Sequence, residues 1–463
     1  MSAMAAAGLS RSKTFEIASA STSGAASYFD AINTLVNEFR YDYPEACRLI
    51  GIKAKSENMQ SFLLRFSDAL RSGEQLSEFL AREAEVQGDD YQNVYERDLE
   101  SVKQWTNAFT SLAISVALII IIQIISSMLY SVNLMVMVMS VSAGALITGF
   151  GAYLIYRSAP QEIMTLGLNN ASPEHARVQS LFRILIPIGI SSGILINATT
   201  NNIGIGLVWT ALCFMPVGII SLLADRKMLK KDQEFSTFLR SSGGMATASG
   251  TTLKQALTKI DLSSFPMLQS DISRLSARLN ALVDPQTCWE KFGRETGSAL
   301  IHGVTDIFYS GIRMGGDPER VGYLSSLFAL KTSQLRAKRR LIAQTFAALA
   351  TVMQVVITAL MIFVFSIVQN FATAVAVLMP ESDTLGSTNL SLGMAEYSAA
   401  DLQFLYTMTV AMVLLLAISS AAAIVLSDGG FKMKGFFWLA VMLLVSGICF
   451  LVIPPIVANI LQI

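Results

Sequence analysis

"NAFTSLAISVALIIIIQIISSMLYSVNLMVMVMSVSAGALITGFGAYLIY", residues 107–156, contains no Asp, Glu, Lys, Arg or His. A helix that crosses a bilayer needs about 20 apolar residues. The stretch therefore holds two spans, with "YSVN" (130–133) as the turn between them. Working outward, 184–224 and 341–380 are also free of charge, and two more apolar runs fill 403–426 and 435–460 on either side of "SDGGFKMKG". Seven spans follow, near 108–129, 133–156, 184–197, 203–224, 343–369, 403–426 and 435–460. "NATTNN" (197–202) serves as a second turn. The composition agrees: 52% of the 463 residues are hydrophobic and only 15% charged, against about 25% charged in soluble domains.

Lys and Arg orient the spans. The segments after spans 2, 4 and 6 carry Arg157, Arg177 and Arg183, then Arg226, Lys227, Lys230 and Lys231, then Lys432 and Lys434; "RAKRR" (336–340) precedes span 5. The segment 370–402 has Glu381, Asp383, Glu396 and Asp401 but no Lys or Arg. The expected topology has a cytoplasmic N-terminus and an external C-terminus. Its parts are a flexible lead (1–26), a first cytoplasmic helical unit (27–106), four membrane helices (107–224) with a cytoplasmic loop at 157–183, a second cytoplasmic helical unit (225–342), and three membrane helices (343–463) with an external loop at 370–402. The fold class is all-α: a polytopic helical membrane protein with about seven transmembrane helices and two cytoplasmic helical units.

The two cytoplasmic units differ in charge. Residues 1–106 carry 11 Lys and Arg against 16 Asp and Glu, whereas 225–342 carry 18 against 11. Both show helical periodicity. In the first, Phe62, Phe66, Ala69 and Leu70 share a face, as do Leu76, Phe79 and Leu80 beyond Gly73. "DDYQNVYERDLESVKQW" then leads into span 1. "SGEQLSEFL" (72–80) and "SGTTLKQAL" (249–257) share S-G-x-x-L-x-x-[FA]-L, which points to a duplication.

"GIRMGGDPER" (311–320) has the G-x-x-x-x-G spacing that opens a phosphate-binding loop, but Asp317-Pro318 stands where that loop needs Lys and a hydroxyl. The stretch reads better as a joint. "VTDIFYSGIRM" is a helix tail, Gly315 and Gly316 end it, Asp317 caps the next helix and Pro318 opens it. Gly73 and Gly250 are read as turns of the same kind. The cysteines at 47, 213, 288 and 449 are scattered, and His175 and His302 stand alone, so neither a disulfide framework nor a metal site is expected. Two rival classes remain to be weighed. A carrier or channel for a neutral solute would need polar, broken helices; "SSGILINATTNNIGIG" comes nearest. An intramembrane or prepilin peptidase would need paired aspartates; Asp225 and Asp428 lie outside the spans and G-x-G-D is absent.

The twice-occurring S-G-x-x-L-x-x-[FA]-L and "GIRMGGDPERVGYL" resemble the type II secretion system F domain. "DYPEACRLIGIKA…SFLLRFSDALRSGEQLSEFLAREAE…YERDLESVKQW" is similar to its archaeal branch, the platform proteins of archaella and archaeal type IV pili, related to the TadC proteins. The resemblance covers roughly 27–426. It implies a non-enzymatic platform for a pilus-like filament, without cofactor or nucleic acid, working as a homodimer with a cytoplasmic hexameric ATPase and pilin-like subunits. Glu319 and Arg320 at a helix start, with the basic cluster Arg336, Lys338, Arg339 and Arg340, are the expected ATPase contact. The basic clusters "DRKMLKK" (225–231) and "RAKRR" equally suit anionic membrane lipid, at about 1 kcal/mol per residue.

Overall fold

The computed structural model describes residues 1–6, 8–20, 24–127, 134–166, 173–200, 202–378 and 399–461. Sixteen α-helices are present among them, and no strand. The short ones are α1 (Ser2–Ala6), α2 (Arg11–Ala20), α3 (Ala26–Asn37), α4 (Tyr43–Ile52), α5 (Glu57–Ser72), α10 (Leu253–Lys259), α11 (Gln269–Asn280), α12 (Pro285–Thr296) and α13 (Ala299–Arg313). The long ones are α6 (Leu76–Ser126), α7 (Leu134–Ser158), α8 (Pro173–Thr200), α9 (Ile203–Ser249), α14 (Pro318–Leu378), α15 (Ala399–Asp428) and α16 (Gly435–Leu461). These seven are long and apolar enough to cross a membrane. The "YSVN" turn and residues 379–398 of the expected external loop lie outside the described residues.

The chain divides into two compact units. A polar unit comprises Met1–Glu96, Met164–Ser172 and Lys227–Arg336; a membrane unit comprises Arg97–Ile163, Pro173–Arg226 and Ala337–Ile463. Residues from both of the stretches expected to be cytoplasmic thus fall in one unit. Within it, Lys331 of α14 pairs with Asp89 of α6.

Two aromatic cores hold the polar unit. In one, Phe66 stacks between Phe15 and Phe79, with ring centroids 5.4 and 5.5 Å apart. In the other, Trp289 packs edge-on to Phe292 and Phe308 at 5.9 and 5.7 Å. The first core corrects the reading of 1–26 as a flexible lead. Ala3 to Ala6 are buried on α1, and Phe15 of α2 is fully buried among Phe29, Tyr43 and Phe66. A large aromatic buried this way contributes enough apolar contact to order a short helix.

The duplicated phrase takes one geometry twice. Gly73 and Gly250 have φ of 74° and 57°. In each case the next residue donates its N–H five residues back, Glu74 to Ala69 O and Thr251 to Ala246 O, both at 3.1 Å, and a helix begins three residues past the glycine. This is the Schellman ending, in which glycine adopts a left-handed conformation that costs other residues about 1–2 kcal/mol. The joint at 311–320 is a third copy. Gly315 has φ of 94°, Gly316 N–H donates to Gly311 O at 3.1 Å, and α14 starts at Pro318.

The helix order reveals a longer correspondence in another register. α4 and α12 both follow an aspartate, Asp42 or Asp284, and both carry Pro in their first two positions. Both bury a cysteine of a P-x-x-C sequence, Cys47 and Cys288. Each packs on the next helix, α5 or α13, at a close crossing: Gly51 against Leu63 and Leu64, Gly293 against His302. Those helices contain Ser67-Asp68 and Thr305-Asp306, and each ends at a left-handed glycine joint before a long helix, α6 or α14. The counterpart of the Gly73 joint in this order is Gly315. Burial pushes the Cys47 thiol up to about 12 and raises that of Cys288; both stay protonated and act as packing groups.

In the membrane unit, small residues bring helices together. A Cβ on Gly218 of α9 would stand 2.4 Å from the backbone of Phe437, so α9 and α16 meet closely there. Gln354 of α14, 3% exposed, donates to Val413 O of α15 and to the hydroxyls of Thr358 and Ser446, each at 3.3 Å. Its amide is thus satisfied by protein and ties three helices. The helix of the third span is longer than the charge-free run: α8 runs Pro173–Thr200. A charge such as Arg183 bounds a charge-free run but not a helix. The second part of the expected loop at 157–183 is accordingly helical.

Candidate coupling site

The start of α14 is built from two ends of chain. α9 ends at Ser249 and α14 begins at Pro318. Thr247 Oγ1 donates to Asp317 Oδ1 at 2.9 Å, and the Glu319 N–H donates to Thr247 Oγ1 at 3.1 Å. The Glu319 N–H also reaches Asp317 Oδ1 at 3.3 Å. Asp317 therefore satisfies the otherwise orphaned first-turn N–H of α14 and fastens it to α9. A Cβ on Gly243 would lie 2.3 Å from Pro318 O, so only glycine admits this approach. On this fixed base Glu319 and Arg320 project to solvent. The amide of Gly316 is spent on Gly311 O, and Gly311 is buried against Val321. The Gly316 N–H is one that a phosphate would have needed.

The rest of the proposed contact separates. Lys338 is exposed and Arg340 half-buried. Arg336 and Arg339 depart from the expectation: they are 2% and 3% exposed. Arg336 pairs with buried Asp232 of α9 at 2.6 Å within the polar unit. Arg339 donates to Ser427 O at 2.9 Å, Pro160 O at 3.0 Å and Leu426 O at 3.3 Å within the membrane unit. A guanidinium has five N–H donors in a fixed fork, which lets it span several carbonyls. Here it also caps the C-terminus of α15, where a cation is favoured. Neither side chain is available to a partner.

A second buried cluster sits in the same membrane unit. Lys434 is 1% exposed. It pairs with Asp428 at the end of α15 and with Asp225 of α9 at 3.4 Å. Asp225 also accepts the Phe431 N–H at 3.1 Å. The turn from α15 to α16 thus closes around the Asp225 carboxylate. Gly429 and Gly430, with φ of 70° and 68°, make room for it. A Cβ on Gly430 would meet Asp225 Oδ1 at 2.5 Å. In the sequence, Lys432 and Lys434 read only as loop markers of topology, and Asp225 and Asp428 only as a candidate protease pair. The structure places a lysine between the two carboxylates, which suits ion pairing and not a proton-sharing dyad.

Three comparisons with known proteins bear on this arrangement. Residues 1–124 match the family model of type II secretion system protein F. The chain is 27% identical over 325 residues to flagella accessory protein J of Methanocaldococcus jannaschii, covering 67% of this chain and 57% of that protein. It is 23% identical over 320 residues to flagella accessory protein J of Methanococcus voltae, covering 66% and 57%. The chain resembles the type II secretion system protein F family over residues 1–124. It spans about 57% of the length of these two relatives. No solved structure matches it.

The part matched to the protein F family runs from α1 almost to the end of α6 and includes the Gly73 joint. The α4–α5–α6 arrangement therefore lies wholly inside the matched residues, apart from the last two of α6. The second copy of that arrangement, α12–α13–α14, lies outside them and carries Glu319 and Arg320.

Proposed function

We propose that this chain is the membrane platform on which a type IV pilus-like filament, pilus or archaellum, is assembled. A cytoplasmic hexameric ATPase docks on the exposed first turn of α14, and its motion reaches pilin-like subunits through the membrane unit. The observation that carries this reading is α14 itself. It is one unbroken helix of 61 residues, about 90 Å long at 1.5 Å per residue. Glu319 and Arg320 are exposed at its start, and Arg336 and Arg339 farther along it are locked into their surroundings. A push at Glu319 and Arg320 meets no loop before the apolar segment. The protein itself does no chemistry in this scheme, and works as a homodimer.

The Lys and Arg pattern supports a cytoplasmic N-terminus and an external C-terminus. A cysteine introduced at Ser387 reacts with an impermeant maleimide on intact cells, and one at Ser264, exposed in the polar unit, reacts only after permeabilisation; the reverse labelling removes the docking argument. The docking itself is tested with Glu319→Lys/Arg320→Glu. The expected result is normal membrane abundance with few or no filaments. Normal filaments would overturn the proposed contact.

A further inference from the structure

Within the membrane unit a groove of about 590 Å³ runs between α6 and α14. Ala117 and Leu118 of α6 line one wall, and Ala348, Val352 and Val356 of α14 line the other. The alanines leave space that larger side chains would take. Val352 is 63% and Val356 58% exposed, so the groove is open along one side. Among the described residues Thr345 is the only polar one in the lining, and its hydroxyl donates to Leu341 O at 2.9 Å. A polar solute finds no partner here, and a wall of this kind does not hold water. The filling that fits is hydrocarbon.

The mouth of the groove is basic. Lys103 stands eleven residues before Ile114 of the lining, and Lys338 seven before Thr345. At 3.6 residues per turn, both spacings return each lysine to within about 20° of the groove face. Both lysines are exposed. They also share a level. α6 and α14 touch through Phe109 and Phe346, edge-on at 6.0 Å, and the groove continues C-terminally from that contact on both helices. Lys103 lies six residues before Phe109, and Lys338 eight before Phe346, about 9 and 12 Å back at 1.5 Å per residue. The acidic group facing Lys103 is Glu100, at 3.4 Å with both side chains exposed. An exposed pair of this kind contributes little and leaves the ammonium able to take a second anion.

We propose that the α6–α14 groove binds an anionic phospholipid, with a hydrocarbon chain along Ala117, Ala348 and Val352 and the phosphate between Lys103 and Lys338. Lysine suits this place because its stem lies along apolar surface while the ammonium reaches the headgroup level. Charge complementarity favours lipid over a second copy of this chain. Two copies packed symmetrically through this face would set the same lysines against each other. The site stands independently of the platform reading.

The test uses the full chain, purified in detergent with equal amounts of phosphatidylglycerol and phosphatidylcholine. Retained lipid is counted by native mass spectrometry, and Tm is read in parallel. The expected result is a preference of about tenfold or more for phosphatidylglycerol, since each lysine near an anionic headgroup is worth about fivefold. Lys103→Gln/Lys338→Gln should bring the ratio close to one, with Tm in phosphatidylcholine unchanged. Ala348→Phe should fill the groove and release both lipids, with wild-type Tm in detergent. No retained lipid, or equal retention of the two lipids by the wild type, overturns the site. So does an undiminished preference in the double variant, or a lost preference with a falling Tm, since the lysines are then structural. Retention by Ala348→Phe at the wild-type level overturns the groove as the place of binding. A photo-crosslinker at residue 352 should attach to lipid in native membranes; attachment to a second copy of this chain or to another protein overturns the assignment.

Discussion

The basic residues of α14 and of the α15–α16 turn look alike in sequence and behave oppositely in the fold. Arg320 is exposed in the first turn of α14, while Arg339 of the same helix is buried on three carbonyl oxygens. Lys432 and Lys434 stand two residues apart, yet Lys434 is enclosed by two aspartates. The contrast teaches that charge at a membrane–water boundary sets topology only as a first approximation. Some of it joins helices, and that part is paired, because an unpaired buried charge costs several kcal/mol.

The largest break in this comparison is at Lys434. Lys434→Glu puts three carboxylates in one buried space, and even Lys434→Ala leaves Asp225 and Asp428 without their cation. A loss of about 3–5 kcal/mol is expected, read as low membrane abundance on an immunoblot and a depressed Tm. Wild-type abundance in Lys434→Glu would show that the pocket is open to water. Arg339→Ala is next, since it uncaps α15 and strips three carbonyls of a charged donor; a cost of about 2–3 kcal/mol follows. Gly430→Ala forces a Cβ into Asp225 from a left-handed backbone and costs about 2 kcal/mol. If it proves neutral, the turn does not clasp the carboxylate. Gln354→Leu is milder, about 1 kcal/mol, because a hydrogen bond between membrane helices is worth only that much. Lys432→Ala, by contrast, is expected to be silent in every one of these assays.

The membrane helices were legible because an apolar, charge-free run of about 20 residues or more matches the thickness of a bilayer and exceeds what a soluble core helix needs. Their ends were less so, as α8 shows: its helix continues past Arg183 to Pro173, since hydrogen bonding along a helix is indifferent to one charged side chain. The glycine joints were readable from local chemistry, and the left-handed Gly73, Gly250 and Gly315 follow from it. The register of the repeat was not. A nine-residue phrase matched 72–80 to 249–257, whereas the helix order sets α4–α5–α6 beside α12–α13–α14; a Schellman ending recurs wherever a helix turns sharply, so it is a poor ruler. The Asp225–Lys434 pair joins residues 209 apart in sequence, and no local pattern announces it. Likewise the short Ala-rich start looked flexible because burial of Phe15 depends on Phe66, far along the chain.

The smallest expected effect on stability is also the one with the greatest functional weight. Glu319 and Arg320 are exposed and hold nothing in the core; single surface charges contribute at most about 0.5 kcal/mol. Their double charge reversal should leave abundance and Tm unchanged. The deciding measurement is a filament count by electron microscopy in cells carrying Glu319→Lys/Arg320→Glu, with a membrane immunoblot on the same culture and Lys432→Ala as the control. The platform account predicts bald cells with wild-type levels of protein, beside fully filamented control cells. Filaments at wild-type number in the reversed variant would contradict it.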